Sequence, residues 1–302
     1  MKNDEILDLF LKVVPERKDE VESIWANYEP AYELVTDRAE FVLDTSPFGF
    51  IRYTHRTKLK IYLLGWVLWR ETYCWSTFIW ELATQSRPFI QSEFEASDGQ
   101  NEAYTAADTL YAEALAFIDA ESINWDGWPS KVPQPREIAS ASKEDWFIKD
   151  LVEQAIALFF LHELRHFMLA KDKVVFTDPI DEEFECDRWA TDYLLDRSDS
   201  YANSNGQDRI LVKSTRAMGI ALGKTVMAHV QAIGLWQPGK EHPPLAKRIE
   251  RLAQRVELPL DDFFWNMATS FLLACLRRQN RLPDRLDFND PRELFTKLLV
   301  LT

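Results

Sequence analysis

Basic charge, glycine, cysteine and histidine are all scarce in this chain of 302 residues. The 49 Asp and Glu against 35 Lys and Arg leave a formal net charge of −14. That balance argues against a nucleic-acid partner, which would need a basic face. A local exception, Arg52-Tyr53-Thr54-His55-Arg56-Thr57-Lys58-Leu59-Lys60, reads as a charge-paired surface at a helix entry, with a docking site as the alternative. Nine glycines beside 14 prolines exclude a low-complexity chain and a turn-rich all-β protein. Three widely spaced cysteines, Cys74, Cys186 and Cys275, make no disulfide framework and fit a reducing compartment. No long apolar run is free of charge. The most apolar stretch, 61–83, contains Arg70, Glu71 and Glu81, so a buried helix is expected there and no membrane span. The opening residues Met1-Lys2-Asn3-Asp4-Glu5 are acidic and lead into an amphipathic pattern, so no signal peptide is expected. Together these absences predict a soluble, cytoplasmic protein.

What is present is apolar and aromatic. Hydrophobic residues make up 46% of the chain and aromatics 13%, enough for one large core or two modest ones. The periodicity predicts a mainly α fold with at most a small β element. Helices are expected over 4–13, from Pro15 to about residue 27, and over 31–43, followed by a turn at Ser46-Pro47-Phe48-Gly49-Phe50. From 57 to 84 apolar residues lie on every side, with Trp66, Trp69, Trp75 and Trp80 among them. That predicts a central buried helix, with a peptide-binding aromatic groove as the alternative. A helix over 102–120 precedes a Trp- and Pro-rich stretch, 122–135, that marks a loop or domain joint. The expected division is a helical scaffold and recognition region, 1–121, and a catalytic region, 122–302.

The chemistry concentrates in Leu161-His162-Glu163-Leu164-Arg165-His166-Phe167. Upstream, Leu151, Val152, Ala155, Leu158, Phe159 and His162 recur at intervals of three and four, the apolar stripe of a helix. Ser142 is its expected N-cap, with Asp145 three residues on. On that helix His162 and His166 lie one turn apart and can grip one metal ion, with Glu163 beside them to take a proton from a water. Two histidines satisfied in the wall of a helical core are the alternative. After a strand-like run, Val174-Val175-Phe176-Thr177, Pro179 opens a helix with an acidic first turn. Glu183, Asp187 and Ala190 share one face of it. A carboxylate there could complete a His-His-Glu zinc site, and Asp187 could orient a histidine ring N–H. Glu182 and Glu185 compete with Glu183 for that place, and a solvated acidic first turn is the reading without a ligand. The polar run 196–208 is expected to be a flexible loop. Residues 209–234 form a long helix in which His229 belongs to the core, and Pro243 and Pro244 open another that contains Arg248.

Three segments in this order carry a resemblance. Leu161-His162-Glu163-Leu164-Arg165-His166, Glu183-Phe184-Glu185-Cys186-Asp187 and His242-Pro243-Pro244-Leu245-Ala246-Lys247-Arg248-Ile249 resemble the compact gluzincin metallopeptidases. Those enzymes pair His-Glu-x-x-His with a Glu-x-x-x-Asp helix, and in the HtpX branch a His-Pro-Pro…Arg-Ile segment follows. The resemblance spans residues 142–252. Residues 183–195 are also similar to repressor-cleaving regulatory peptidases of the ImmA type. The chain departs from these patterns in lacking the membrane helices of the HtpX branch, in carrying Cys186 where alanine is usual, and in a short spacer before Glu183. Its length, acidity and helical N-terminal half look more like the Lit-type phage-exclusion proteases of bacteria. The resemblance implies a zincin-like core with Zn2+ on His162, His166 and Glu183 and with Glu163 as general base and acid. It further implies Asp187 behind the ligands, Arg248 as partner of an acidic site group, and His242 as donor to the oxyanion. The activity so implied is that of a zinc endopeptidase with a protein substrate, in the Lit type a translation elongation factor, triggered by an activating peptide from a phage. A helical interaction protein with a vestigial or structural metal site, and a zinc hydrolase acting on something other than protein, are the alternatives from other classes.

Overall fold

Apolar residues at helical spacing dominate the chain, and the described residues are accordingly mainly α. The computed structural model describes residues 4–35, 41–46, 48–120, 123–135, 142–232 and 242–301. Helices α1 (Asp4–Val13) and α2 (Lys18–Tyr28) precede three short strands, β1 (Tyr32–Leu34), β2 (Leu43–Ser46) and β3 (Phe50–Tyr53). Then come α3 (His55–Glu71), α4 (Ser76–Thr84), β4 (Phe89–Ile90), α5 (Gln91–Glu95) and α6 (Gln100–Asp119). The second half holds α7 (Lys143–Lys171), α8 (Pro179–Leu195), α9 (Ser198–Asn205), α10 (Arg209–Ala232) and α11 (Leu245–Arg255). It ends with α12 (Phe263–Arg278), β5 (Arg285–Leu286) and α13 (Pro291–Leu299). In the three-stranded sheet β3 is central, parallel to β1 and antiparallel to β2, while β4 and β5 form a separate antiparallel pair.

The 29-residue α7 is the axis on which the rest packs. It starts where the sequence predicts: the Ser142 hydroxyl accepts from the Asp145 N–H and the Asp145 carboxylate accepts from the Ser142 N–H. This reciprocal cap satisfies two otherwise orphaned donors at the helix start. Helices α1, α3, α8 and α10, together with β2, pack directly against α7. The closest approaches require residues without a side chain. A Cβ on Gly65 of α3 would meet Val152 at 2.9 Å, and one on Gly219 of α10 would meet Gln154 Cβ at 2.7 Å. Buried apolar side chains form a single cluster from Ile6 to Leu299. Trp66, Trp69 and Trp75 lie within it, so these rings are core, whereas Trp80 is half exposed. A polar clasp closes the far side. Fully buried Glu71 at the end of α3 takes Arg277 and Arg278 of α12, which also hold Asp108 of α6.

Several expectations are corrected. Within 31–43 the described residues 32–34 and 43 are extended, because β1 and β2 complete a sheet with β3, and that pairing overrides a weak helical pattern; residues 36–40 of that stretch, and Pro47 of the following turn, lie outside the described residues. The helix over 57–84 is two helices. Thr72 turns its hydroxyl back to the Trp69 carbonyl, and the chain tightens into a 3-10 turn over Thr72–Cys74 before α4 starts. The run 174–177 is not a strand. Lys173 adopts φ 56°, and the N–H groups of Lys173 and Val174 donate to Ala170 and Leu169, a Schellman-type end that satisfies the last carbonyls of α7. The polar run 196–208 contains α9, held by buried Ser198 and Ala202 and stopped at Gly206 with φ 63°. In the basic stretch, Arg52 pairs with Asp44 and Lys58 with Glu5, while Arg56 and Lys60 are buried. It is a charge-paired segment of the fold.

Gly219→Ala gains about 1 kcal/mol of helix propensity, but the forced contact with Gln154 costs about 1–3 kcal/mol. A net loss of stability, seen as a lower urea midpoint than wild type, is the expected outcome; a variant as stable as wild type would mean that α7 and α10 are not this close.

Candidate metal centre

Helix geometry brings the two histidines together. His162 and His166, four residues apart on α7, point the same way, with their Nε2 atoms 3.2 Å apart. Helix α8 supplies the third group. Asp178 caps its start by accepting from the Ile180 N–H, Pro179 occupies its first turn, and Glu183, Asp187 and Ala190 all turn inward and are buried. Glu183 Oε2 lies 3.4 Å from His162 Nε2, and Glu183 Oε1 lies 3.3 Å from His166 Nε2. Of the three neighbouring glutamates, Glu183 is the one whose carboxylate faces both Nε2 atoms. Glu182 stands behind His166, 2.8 Å from Nδ1, and Glu185 pairs with Arg165 and Arg188.

The rear contacts set the tautomers. His162 Nδ1 faces Asp187 Oδ1 at 3.1 Å and His166 Nδ1 faces Glu182. A carboxylate opposite Nδ1 calls for a proton on that nitrogen, which turns both Nε2 lone pairs toward Glu183. Two lone pairs and a carboxylate at these separations repel one another unless a positive charge sits among them. Donors around a tetrahedral ion bonded at about 2.0–2.1 Å lie about 3.3 Å apart; the two Nε2 atoms are 3.2 Å apart, and the Glu183 carboxylate flanks them with Oε2 3.4 Å from His162 and Oε1 3.3 Å from His166. Buried Glu183 Oε2 accepts no hydrogen bond among the described residues. By donor type, spacing and this spare acceptor, His162, His166 and Glu183 fit a zinc-like divalent ion.

The electrostatics agree. Burial opposes the charged form of Glu183, yet the imidazoles of His162, His166 and His242 around it hold its carboxyl far below the usual range. Burial would lower the pKa of His166, but the facing Cys186, Glu183 and Glu163 push it up to about 12; these surroundings favour positive charge here, carried by the ring itself when no ion is bound. Burial raises Glu163 above the ordinary carboxylate range, against the pull of His162, His166 and Thr45. Asp187 is buried too, but Arg248 and Lys224 keep its carboxyl well below its usual value. Arg248 donates from Nε and Nη2 to Asp187 at 2.6 and 2.7 Å, and Lys224 of α10 pairs with the same carboxylate. Burial lowers the Lys224 ammonium to about 8 in spite of that partner. His242 is half exposed, just before α11, with Nδ1 3.1 Å from Glu183 Oε1; it lies against the carboxylate of a candidate ligand. His229 is a core residue, bonded to the Tyr111 hydroxyl.

His162, Glu163, His166, Glu183 and His242 border a cleft of about 620 Å³ between α7, α8, α10 and the β2–β3 hairpin. Thr45, Ser46 and Phe48 form one wall, Leu158, Phe159, Met227 and Val230 another. Sequence reasoning missed two partners here. Lys224 carried a readable signal, a lone lysine in the apolar run Leu222-Gly223-Lys224-Thr225-Val226. Thr45, bonded to Glu163, carried none: it falls between the helix expected over 31–43 and the turn from Ser46, and its partner is distant in sequence.

Residues 66–268 of the chain match the family described as Peptidase U49; this stretch holds both histidines, Glu163, Glu183, Asp187, His242 and Arg248. No curated protein and no solved structure matches the chain.

Metal analysis of purified variants checks this arrangement. Glu183→Ala is expected to lose bound divalent metal, Glu185→Ala to keep it, and Glu182→Ala to keep it with an affinity weakened about 10–100-fold. Equal metal content and chelator resistance in all three would remove Glu183 from the centre.

Proposed function

Taking as premise that the chain belongs to the peptidase U49 family, we propose that it is a zinc-dependent endopeptidase that cleaves a protein target. The observation that carries this reading is the convergence of His162 and His166, their Nε2 atoms 3.2 Å apart, with the two oxygens of the Glu183 carboxylate 3.3–3.4 Å from them, beside Glu163 on α7. Zinc bound there would lower the pKa of a coordinated water to about 7 and polarise the substrate carbonyl. Glu163, on the same helix as the histidines, would take the proton of the attacking water and deliver it to the leaving amine. Asp187 holds the His162 ring with its Nε2 toward the cleft, Glu182 does the same for His166, and Arg248 and Lys224 hold Asp187. His242 steadies Glu183 and, by the gluzincin resemblance, donates to the carbonyl oxygen as negative charge develops on it.

The Lit-type resemblance extends the reading to a cytoplasmic phage-exclusion protease with a translation elongation factor as target and a phage-derived activating peptide as trigger. Within it, residues 1–121 serve recognition. Two observations support that role: β2 and its turn line the cleft, and Phe48 stands at the rim with 86% of its surface exposed. Among the described residues no helix is long and apolar enough to cross a membrane.

The test compares new protein N-termini in cells producing wild type or Glu163→Gln. Termini that appear only with wild type are expected, alongside a Glu163→Gln protein that retains its metal and has lost at least about 100-fold in cleavage rate. Cleavage by Glu163→Gln at the wild-type rate contradicts the assignment of the base, and identical termini from metal-loaded wild type and variant favour a structural metal site.

A further inference from the structure

The carboxylate of Glu163 must be held as well as charged. A glutamate side chain has three torsions and loses rotamer entropy when it is fixed. Thr45 Oγ1 lies 3.0 Å from Glu163 Oε2 and 2.9 Å from the Glu163 backbone oxygen. Among the described residues no other side chain donates a hydrogen bond to that carboxylate. The hydroxyl has one proton, shared between these two acceptors, and so bridges the Glu163 backbone oxygen and its carboxylate. The strand explains why the hydroxyl points there. Thr45 is paired across the sheet with Ile51 and Leu43 with Tyr53, and both partners are fully buried, so this face turns to the core beneath α7. Asp44 and Arg52 occupy the other face and pair with each other. Thr45 therefore reaches Glu163 from a strand far away in sequence, outside the 66–268 match.

We propose that Thr45 is the positioning residue of Glu163: its hydroxyl aims the carboxylate into the cleft without touching the metal ligands. The inference rests on Glu163 as general base. Thr45→Val keeps the shape and removes the donor, whereas Thr45→Ser keeps the donor on a smaller side chain. The assay substrate is a peptide spanning the main cut site found by the N-terminus comparison. Thr45→Val is expected to lose about 10–100-fold in kcat, as for a lost hydrogen bond to a charged group, with KM within about twofold of wild type. Its metal content and melting temperature should stay at wild-type values, and in its crystal structure the Glu163 carboxylate should leave the position it holds beside strand β2. Thr45→Ser should recover most of the lost kcat. Wild-type kcat in Thr45→Val, loss of metal from it, or equal damage in Thr45→Ser overturns the proposal. Failure of the underlying reading looks different: there Glu163→Gln itself cleaves normally, whereas an inactive Glu163→Gln beside a fully active Thr45→Val removes Thr45 alone.

Discussion

Two imidazole lone pairs and one carboxylate, 3.2–3.4 Å apart in a buried corner, form an arrangement that is unfavourable unless a cation neutralises it. Most of the polar architecture of the second half follows from that constraint. The rear nitrogens are tied to Asp187 and Glu182, which bring further negative charge. Buried carboxylates are tolerated only when paired, so Arg248 and Lys224 are drawn in from α11 and α10 to hold Asp187. The centre thus spans four helices, and its geometry depends on all of them packing to α7.

That dependence explains the glycines. Gly65 and Gly219 bring α3 and α10 close to α7, and α10 carries Lys224 while α3 backs the helix that bears the histidines. Cys186 adjoins His166, and burial pushes its thiol up to about 11.

Local pattern carried much of this. Helix α7, its Ser142–Asp145 cap, the pairing of His162 with His166, and the inward face of α8 with Glu183 and Asp187 all follow from spacing of three and four residues. Readings failed where tertiary pairing decides. Residues 32–34 and 43 are extended because β3 is available to pair with them, and α9 forms from a Ser- and Asn-rich run because Ser198 and Ala202 find burial. The same failure hid Thr45, since no local pattern predicts a contact 118 residues away in sequence. His242 was legible as a site residue, but only coordinates place its Nδ1 against Glu183.

X-ray absorption at the zinc edge of the metal-loaded protein tests the central claim most directly. The account predicts a tetrahedral shell of nitrogen and oxygen scatterers at about 2.0–2.1 Å, two of them with the outer-shell signature of imidazole. A sulfur scatterer at about 2.3 Å, or a shell without imidazole, would contradict it.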